Sequence, residues 1–456
     1  MSIRINILNQ NLDAFQVISQ KRVKVFIPDL PKGYQITGEG ITFRPFVEVK
    51  TITELNTLIS PTAPAGYSTG NKLVAYDMVY NSLVALLSEP SIESLYLRFS
   101  GDSGSGDIGK IKIWNESDAD GALPILPEVY GYQYIYMLYS GAKAKEYDVD
   151  GKQVYDKYDN FYEYINGNLG GALNYKKEYG NTLLYSNIYA PKYIEVLDET
   201  IDWKKDIKEK IKKFTVTYLN ENLTPAEKAN LANTFLGNVR LEDSLHLFFV
   251  NYFEEGNLLP SATVALIKAV RLLRDGKPYL SIAGQENLIW NEQSTGEVAI
   301  QLSKKENDKL REIGVNVLET KRNIGTYFTS YNTAAQIFPD KRANVIALKL
   351  YLKEAFILFL DQFRQQPNIA KTWRIVENSL KVEMNKLLNA GAINAVGVDC
   401  GLGSTMTRQD ILEGRLIARV VYRPIMLIDD IALNIVVTTE EVNVYFDTNL
   451  GIGGSV

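Results

Sequence analysis

The chain has 456 residues, 46% apolar and 23% charged, enough to build two or three domains with real cores and too apolar for wholesale disorder. Its 49 basic and 54 acidic residues leave a net charge of −5, which excludes a general nucleic-acid binder with an overall basic excess. One cysteine, Cys400, rules out an internal disulfide or a cysteine-based zinc site and fits a reducing compartment or a particle assembled in one.

At the N-terminus Ile3, Ile5 and Ile7 alternate with Arg4 and Asn6, the period of a strand with one apolar face and not the run of a signal peptide. Arg22 to Ile27 reads as a second strand, closed by Pro28 and the turn Pro31-Lys32-Gly33. Phe46 to Val49 reads as a strand, Ile52 to Ile59 as a short helix and Asn71 to Leu87 as a longer one. Strands follow at Leu95 to Phe99 and Ile111 to Trp114, around a glycine-rich loop.

From about residue 100 to 286 the composition shifts, with fifteen of the 28 tyrosines between Tyr130 and Tyr193. This segment is expected to be an inserted domain that begins in strands and ends in helices. Asp202 to Phe214 and Ser261 to Leu273 read as helices, and Thr224-Pro225-Ala226-Glu227 is a helix start with a capping box. Ser303 to Ile313 is helical and leads into a strand at Gly314-Val315-Asn316-Val317-Leu318.

The apolar stretch Val345 to Phe363 is interrupted by Lys349, Lys353, Glu354 and Asp361. Each central charge costs roughly 2.5–3.5 kcal/mol in lipid, so the stretch is expected to be a helix buried in protein on nearly all sides, with no membrane insertion. Pro367-Asn368 breaks it. The next helix sets Trp373, Val376, Leu380, Met384 and Leu387 on one face. A turn at Asn389-Ala390-Gly391-Ala392-Ile393 precedes alternating strands at Arg415 to Tyr422 and Asp430 to Val437, expected to form a hairpin.

Several segments imitate chemistry. Gly104-Ser105-Gly106-Asp107-Ile108-Gly109-Lys110 matches a phosphate loop, but Ile111 stands where magnesium needs Ser or Thr. Glu116, Asp118, Asp120 and Gly121 resemble the start of a calcium loop, with Pro127 where the bidentate acid belongs. Neither implies a cofactor or a metal. His246, the one histidine, sits in the apolar Leu245-His246-Leu247-Phe248-Phe249 without a nucleophile elbow, the pattern of a packed core histidine. Cys400 has no basic neighbour in sequence and is expected to be an inert thiol. Tyr130, Tyr132, Tyr134 and Tyr136 share one strand face, for sheet packing or an outward aromatic surface, and Lys204 to Lys213 with its interleaved acids reads as a solvated helix face.

The order of the last third resembles the C-terminal core of contractile tail sheath proteins of myophages and related injection systems. The resemblance rests on Leu310 with Gly314-Val315-Asn316, on Gln366-Pro367-Asn368 with Trp373, and on Leu387, Leu388 and Gly391-Ala392-Ile393. It ends with the Gly414-led strand through Pro424 and the strand Ile431-Ala432-Leu433-Asn434-Ile435, where an acidic pair, Asp429-Asp430, stands in place of a single acid.

The resemblance implies an α+β protein: a sheath-type core domain of mixed sheet and helices, with an inserted domain and extended terminal β-arms. The expected boundaries are an N-terminal arm at 1–20, core at 21–100 and 287–437, a tyrosine-rich insertion at 101–286, and a C-terminal arm at 438–456. It also implies a structural, non-enzymatic subunit that polymerises as stacked six-fold rings around a tail tube protein and contracts to drive the tube through the host envelope. Its partners would be other copies of itself, the tube, and baseplate and tail terminator proteins, in a virion tail assembled in the bacterial cytoplasm. The linking arms would be Ile3, Ile5 and Ile7 and Val442, Val444 and Phe446. The acceptor hairpin would present Leu416, Ala418, Val420, Tyr422, Ile431, Leu433 and Ile435. Strand physics alone would pair the terminal strands inside their own subunit. The alternatives are a baseplate or tail-terminating component on the same core, and a hydrolase carried by the insertion.

Overall fold

Continuous apolar runs such as Leu247-Phe248-Phe249-Val250 call for a sheet covered on both faces, which is how parallel strands are usually buried. The computed structural model describes residues 21–27, 47–63, 70–99, 133–137, 182–187, 202–220, 222–236, 246–289, 296–335, 337–425, 432–437 and 442–447. The chain divides into two units, Met1–Arg364 and Gln365–Val456.

In the first unit the strands are β1 (Lys21–Ile27), β2 (Val47–Val49), β3 (Ile92–Phe99), β4 (Gln133–Met137), β5 (Thr182–Asn187) and β6 (His246–Val250). They continue with β7 (Tyr252–Glu255), β8 (Asn257–Pro260), β9 (Glu297–Val298), β10 (Val315–Lys321) and β11 (Gly325–Phe328). Eight form one sheet in the order β11-β10-β6-β5-β4-β1-β3-β2. All its inner pairings are parallel, and only the edge strands β2 and β11 run antiparallel to their neighbours. β7, β8 and β9 make a separate three-stranded sheet. Of the strands described in the expected insertion at 101–286, β4, β5 and β6 lie inside the same sheet as β1 and β10, and β7 and β8 lie in the three-stranded sheet. The N-terminal arm, the phosphate-loop and calcium-loop look-alikes, Tyr130 and Tyr132 lie outside the described residues.

The helices of this unit are α1 (Ile52–Leu58), α2 (Gly70–Leu87), α3 (Trp203–Tyr218), α4 (Pro225–Phe235), α5 (Ser261–Arg274), α6 (Lys304–Glu312) and α7 (Ala343–Asp361). Their starts are chemically specified. Asp202 caps α3, and the boxes Thr224/Glu227 and Ser303/Glu306 open α4 and α6. α5 buries most of its length against β4, β5 and β6. Glu89, buried after α2, bonds Arg271 of α5 at 2.6 Å and the Ser91 hydroxyl at 2.7 Å, which ties those helices together. In α7 Lys349 and Lys353 are exposed while nearly all the rest is covered. Glu354, another of the interrupting charges, is buried: one turn after the buried Leu350, it lies on the covered face.

Gly314-Val315-Asn316 earns its residues locally. Gly314 has φ +86, and a Cβ there would meet the Thr333 carbonyl oxygen at 2.6 Å. Asn316, fully buried, donates to the carbonyls of Phe248 at 3.0 Å and Asn332 at 2.8 Å and accepts from the Asn332 amide at 2.6 Å. One amide thus fastens β6, β10 and the segment after β11. Replacing Asn316 by alanine strands three buried backbone groups, and we expect chemical denaturation to show a loss of about 2–4 kcal/mol.

Candidate assembly interface

The second unit is built on α8 (Ala370–Asn389), a helix with one apolar stripe. Val376, Leu380 and Met384 are buried, and α8 packs against β12 (Ile393–Cys400). The turn between them depends on Gly391, at φ +70. Its amide donates to Leu388 and that of Ala392 to Leu387, closing the helix with a left-handed residue and reversing the chain.

β12 pairs antiparallel with β13 (Ala418–Pro424), setting Val396 opposite Tyr422, Val398 opposite Val420 and Cys400 opposite Ala418. This row faces inward. Val398 and Cys400 are buried, and Ala418, Val420 and Tyr422 half-buried. The alternate row faces out, with Arg419 joined to Asp399 at 2.7 Å, and Val421 and Arg423 exposed. Between the strands Thr407 and Asp410 form a capping box for the short α9 (Arg408–Leu412). The Thr407 hydroxyl and amide hold the Asp410 carboxyl below the ordinary 3.8, with help from Arg415. Because the folded pKa is depressed, the stability this cap contributes is present above the ordinary value and is lost as pH falls through the depressed one.

Asn368 braces the whole unit. Its amide donates to the Arg415 carbonyl at 2.9 Å and its oxygen accepts from the Trp373 indole at 2.6 Å, so the entry to α8 is bound to the segment that feeds β13. Thr405 adds a bond to the Ile417 carbonyl at 2.6 Å.

The expected acceptor hairpin is paired differently. Its first strand, starting at Ala418, pairs with β12 and not with residues 430–437. The second, β14 (Ala432–Val437), pairs antiparallel with β15 (Val442–Asp447). Leu433, Ile435 and Val437 stand opposite Phe446, Val444 and Val442, so residues expected in the acceptor and in the C-terminal arm occupy one hairpin. Linker length explains the choice: four residues, 438–441, join β14 to β15, whereas seven, 425–431, separate β13 from β14. Leu416 is half-buried just before β13, and Ile431 lies outside the described residues, as do Ile3, Ile5 and Ile7. β12 was missed in the sequence because Gly397 and the polar Asn394 blur its alternation. Val396, Val398 and Cys400 were the available signal.

The β12–β13 sheet has two strands, so among the described residues the outer edges of both carry no partner strand. Elsewhere, no group of three or more His, Cys, Asp or Glu side chains able to hold a metal occurs among the described residues. His246 begins β6, its backbone opposite Leu184. No described helix is long and apolar enough to cross a membrane.

No family model matches the sequence, and a search of curated proteins finds no match. Solved structures do match in fold along nearly the whole length. A chain of the six-fold symmetrised anti-feeding prophage baseplate superposes with a TM-score of 0.57 at 12% identity, covering 93% of this chain and 95% of that one. A chain of the contracted sheath complex of an extracellular contractile injection system gives 0.56 at 12% identity, covering 92% of each. The contracted helical sheath of the anti-feeding prophage gives 0.55 at 12% identity, covering 95% and 99%. The chain has the contractile-sheath fold. The α+β architecture expected from the sequence is therefore that of chains in sheath and baseplate assemblies.

Two outcomes follow for this unit. Asn368→Ala should lower the thermal stability of the sheath-fold C-terminal unit by about 1–2 kcal/mol, read by hydrogen exchange in β13. Burial, with Glu377 beside it, pushes the Cys400 thiol above its ordinary pKa, so at pH 7 it should resist a thiol reagent until the unit unfolds.

Proposed function

We propose that the chain is a structural subunit of a contractile sheath, polymerised by strand exchange between copies. The observation that carries this reading is the two-stranded β12–β13 sheet. Its strands of eight and seven residues have no outer neighbour among the described residues, in a fold shared end to end with sheath-assembly chains. An unpaired edge offers N–H and C=O groups to an extended segment from another chain. Ile3, Ile5 and Ile7 and the β15 positions Val442, Val444 and Phe446 are the donors, and Leu416, Ala418, Val420 and Tyr422 belong to the acceptor. Leu433 and Ile435, expected in the acceptor, go with the donor because β14 pairs with β15.

In this reading the copies form six-fold rings stacked around a tail tube, with a baseplate at one end and a terminator at the other. Backbone links of this kind survive large rotations of the joined domains, so rings swing outward on contraction while the mesh stays connected. The driving free energy is better packing in the contracted form, summed over many identical interfaces. The particle is a phage tail or a related injection machine. A baseplate role on the same fold is the second reading, favoured by the likeness to a chain of a baseplate assembly.

Electron microscopy of the concentrated protein, alone and with its tube, tests both. Hollow cylinders of uniform width and variable length are expected, and deletion of residues 1–9 should abolish them while leaving circular dichroism unchanged. Single rings that never stack would favour the baseplate reading, and a monodisperse monomer in the presence of tube would exclude both.

A further inference from the structure

Two edges without a partner strand among the described residues, and two donor segments, leave open which donor takes which edge, and the outward row of β13 carries a charge that discriminates. Arg419, Val421 and Arg423 are exposed there, with Val421 at 59%. Arg419 is engaged by Asp399, whereas Arg423 stands opposite Ala395 and has no ion pair among the described residues. A strand that joins this edge and continues the inward row Ala418, Val420 and Tyr422 must set its own outward residues beside Arg423.

The C-terminal segment has the matching pattern. Val442, Val444 and Phe446 alternate with Glu441, Asn443, Tyr445 and Asp447, so one face is apolar and the other ends in an acid on each side. With Val444 opposite Val420, antiparallel addition brings Glu441 opposite Arg423, and parallel addition brings Asp447 there. The N-terminal segment carries Arg4 in its outward row and would set two cations together. Among the described residues β15 is paired with β14 on one side only, and β14–β15 is a sheet separate from β12–β13. The hairpin can therefore join as a unit. Leu433, Ile435 and Val437 would then extend the apolar face to a fourth strand, covering what a lone two-stranded hairpin leaves wet.

We propose that Arg423 is the specificity residue of the β13 edge, selecting the acidic outward row of residues 441–447 from a second copy of this chain. The inference rests on the strand-exchange reading above and names its partner segment.

Mixed cross-linking of full-length chains tests it. One chain carries V421C and the other N443C, the position opposite in antiparallel addition, or Y445C, the position opposite in parallel addition. Cys400 is buried and stays in place. Under mild oxidation the mixture should give a disulfide-linked heterodimer with one of the two partners. Adding R423E to the V421C chain should reduce its yield about fivefold, the scale of one exposed charge contact, and E441K with D447K in the partner should restore it. Cylinders without any heterodimer would overturn the edge assignment and leave the sheath reading standing. A heterodimer in a protein that never forms cylinders would support the assignment and overturn the sheath reading. Yield indifferent to R423E would overturn the proposal.

Discussion

A backbone amide at the edge of a sheet has to find a partner, and the two units of this chain meet that demand in opposite ways. The eight-stranded sheet ends in β2, three residues long, and β11, four residues long, both antiparallel to their neighbours. Short edge strands offer little template to another chain, a common way of keeping a sheet to itself. The β12–β13 sheet has strands twice as long at its edges and only two of them. Its inner face is covered by α8, and among the described residues its outer edges have no partner strand.

Rigidity in the first unit comes from amides used as cross-links. Asn251, buried at φ 91, donates to the carbonyls of Ile300 and Leu318 and accepts from the Ile300 amide, joining the end of β6 to the segment after β9 and to β10. Asn316 performs the same service one strand away. A side-chain amide offers two donors and an acceptor in one plane, which serves backbone groups that no regular ladder reaches. Such a network tolerates little shear.

What could be read from the sequence was what local chemistry dictates. The capping box at Thr224, the nearly all-round apolar α7 and the glycine turn at Gly391 each follow from a few neighbouring residues. The pairing of strands did not. β13 has the same alternation whether its neighbour is β12 or β14, and what decides it, the linker lengths and the helix that packs on β12, is not written in β13 itself. The sheet order was equally hidden. β4 and β5 are five- and six-residue strands separated by more than forty residues, and nothing in their sequence says that they lie between β1 and β6. Of the interface, the apolar rows were legible. Which edges lack a neighbour among the described residues was not, because that depends on the pairing of distant segments and not on the alternation of the strand itself.

Strand addition by itself is promiscuous, since the hydrogen bonds it makes are the same for every sequence. An exposed edge must therefore carry something that penalises wrong partners, and charges along the outward row are the usual device. On the strand-exchange reading Arg423 does this for β13, disfavouring a cationic partner row and leaving an acidic one acceptable, while Arg419 is already joined to Asp399. The energy in each such contact is small, about 0.2–1 kcal/mol for an exposed pair. That magnitude suits an assembly in which each link has to find its register before it locks. A stronger contact would trap misregistered strands, whereas one of this size biases the choice and leaves the holding strength to the ladder.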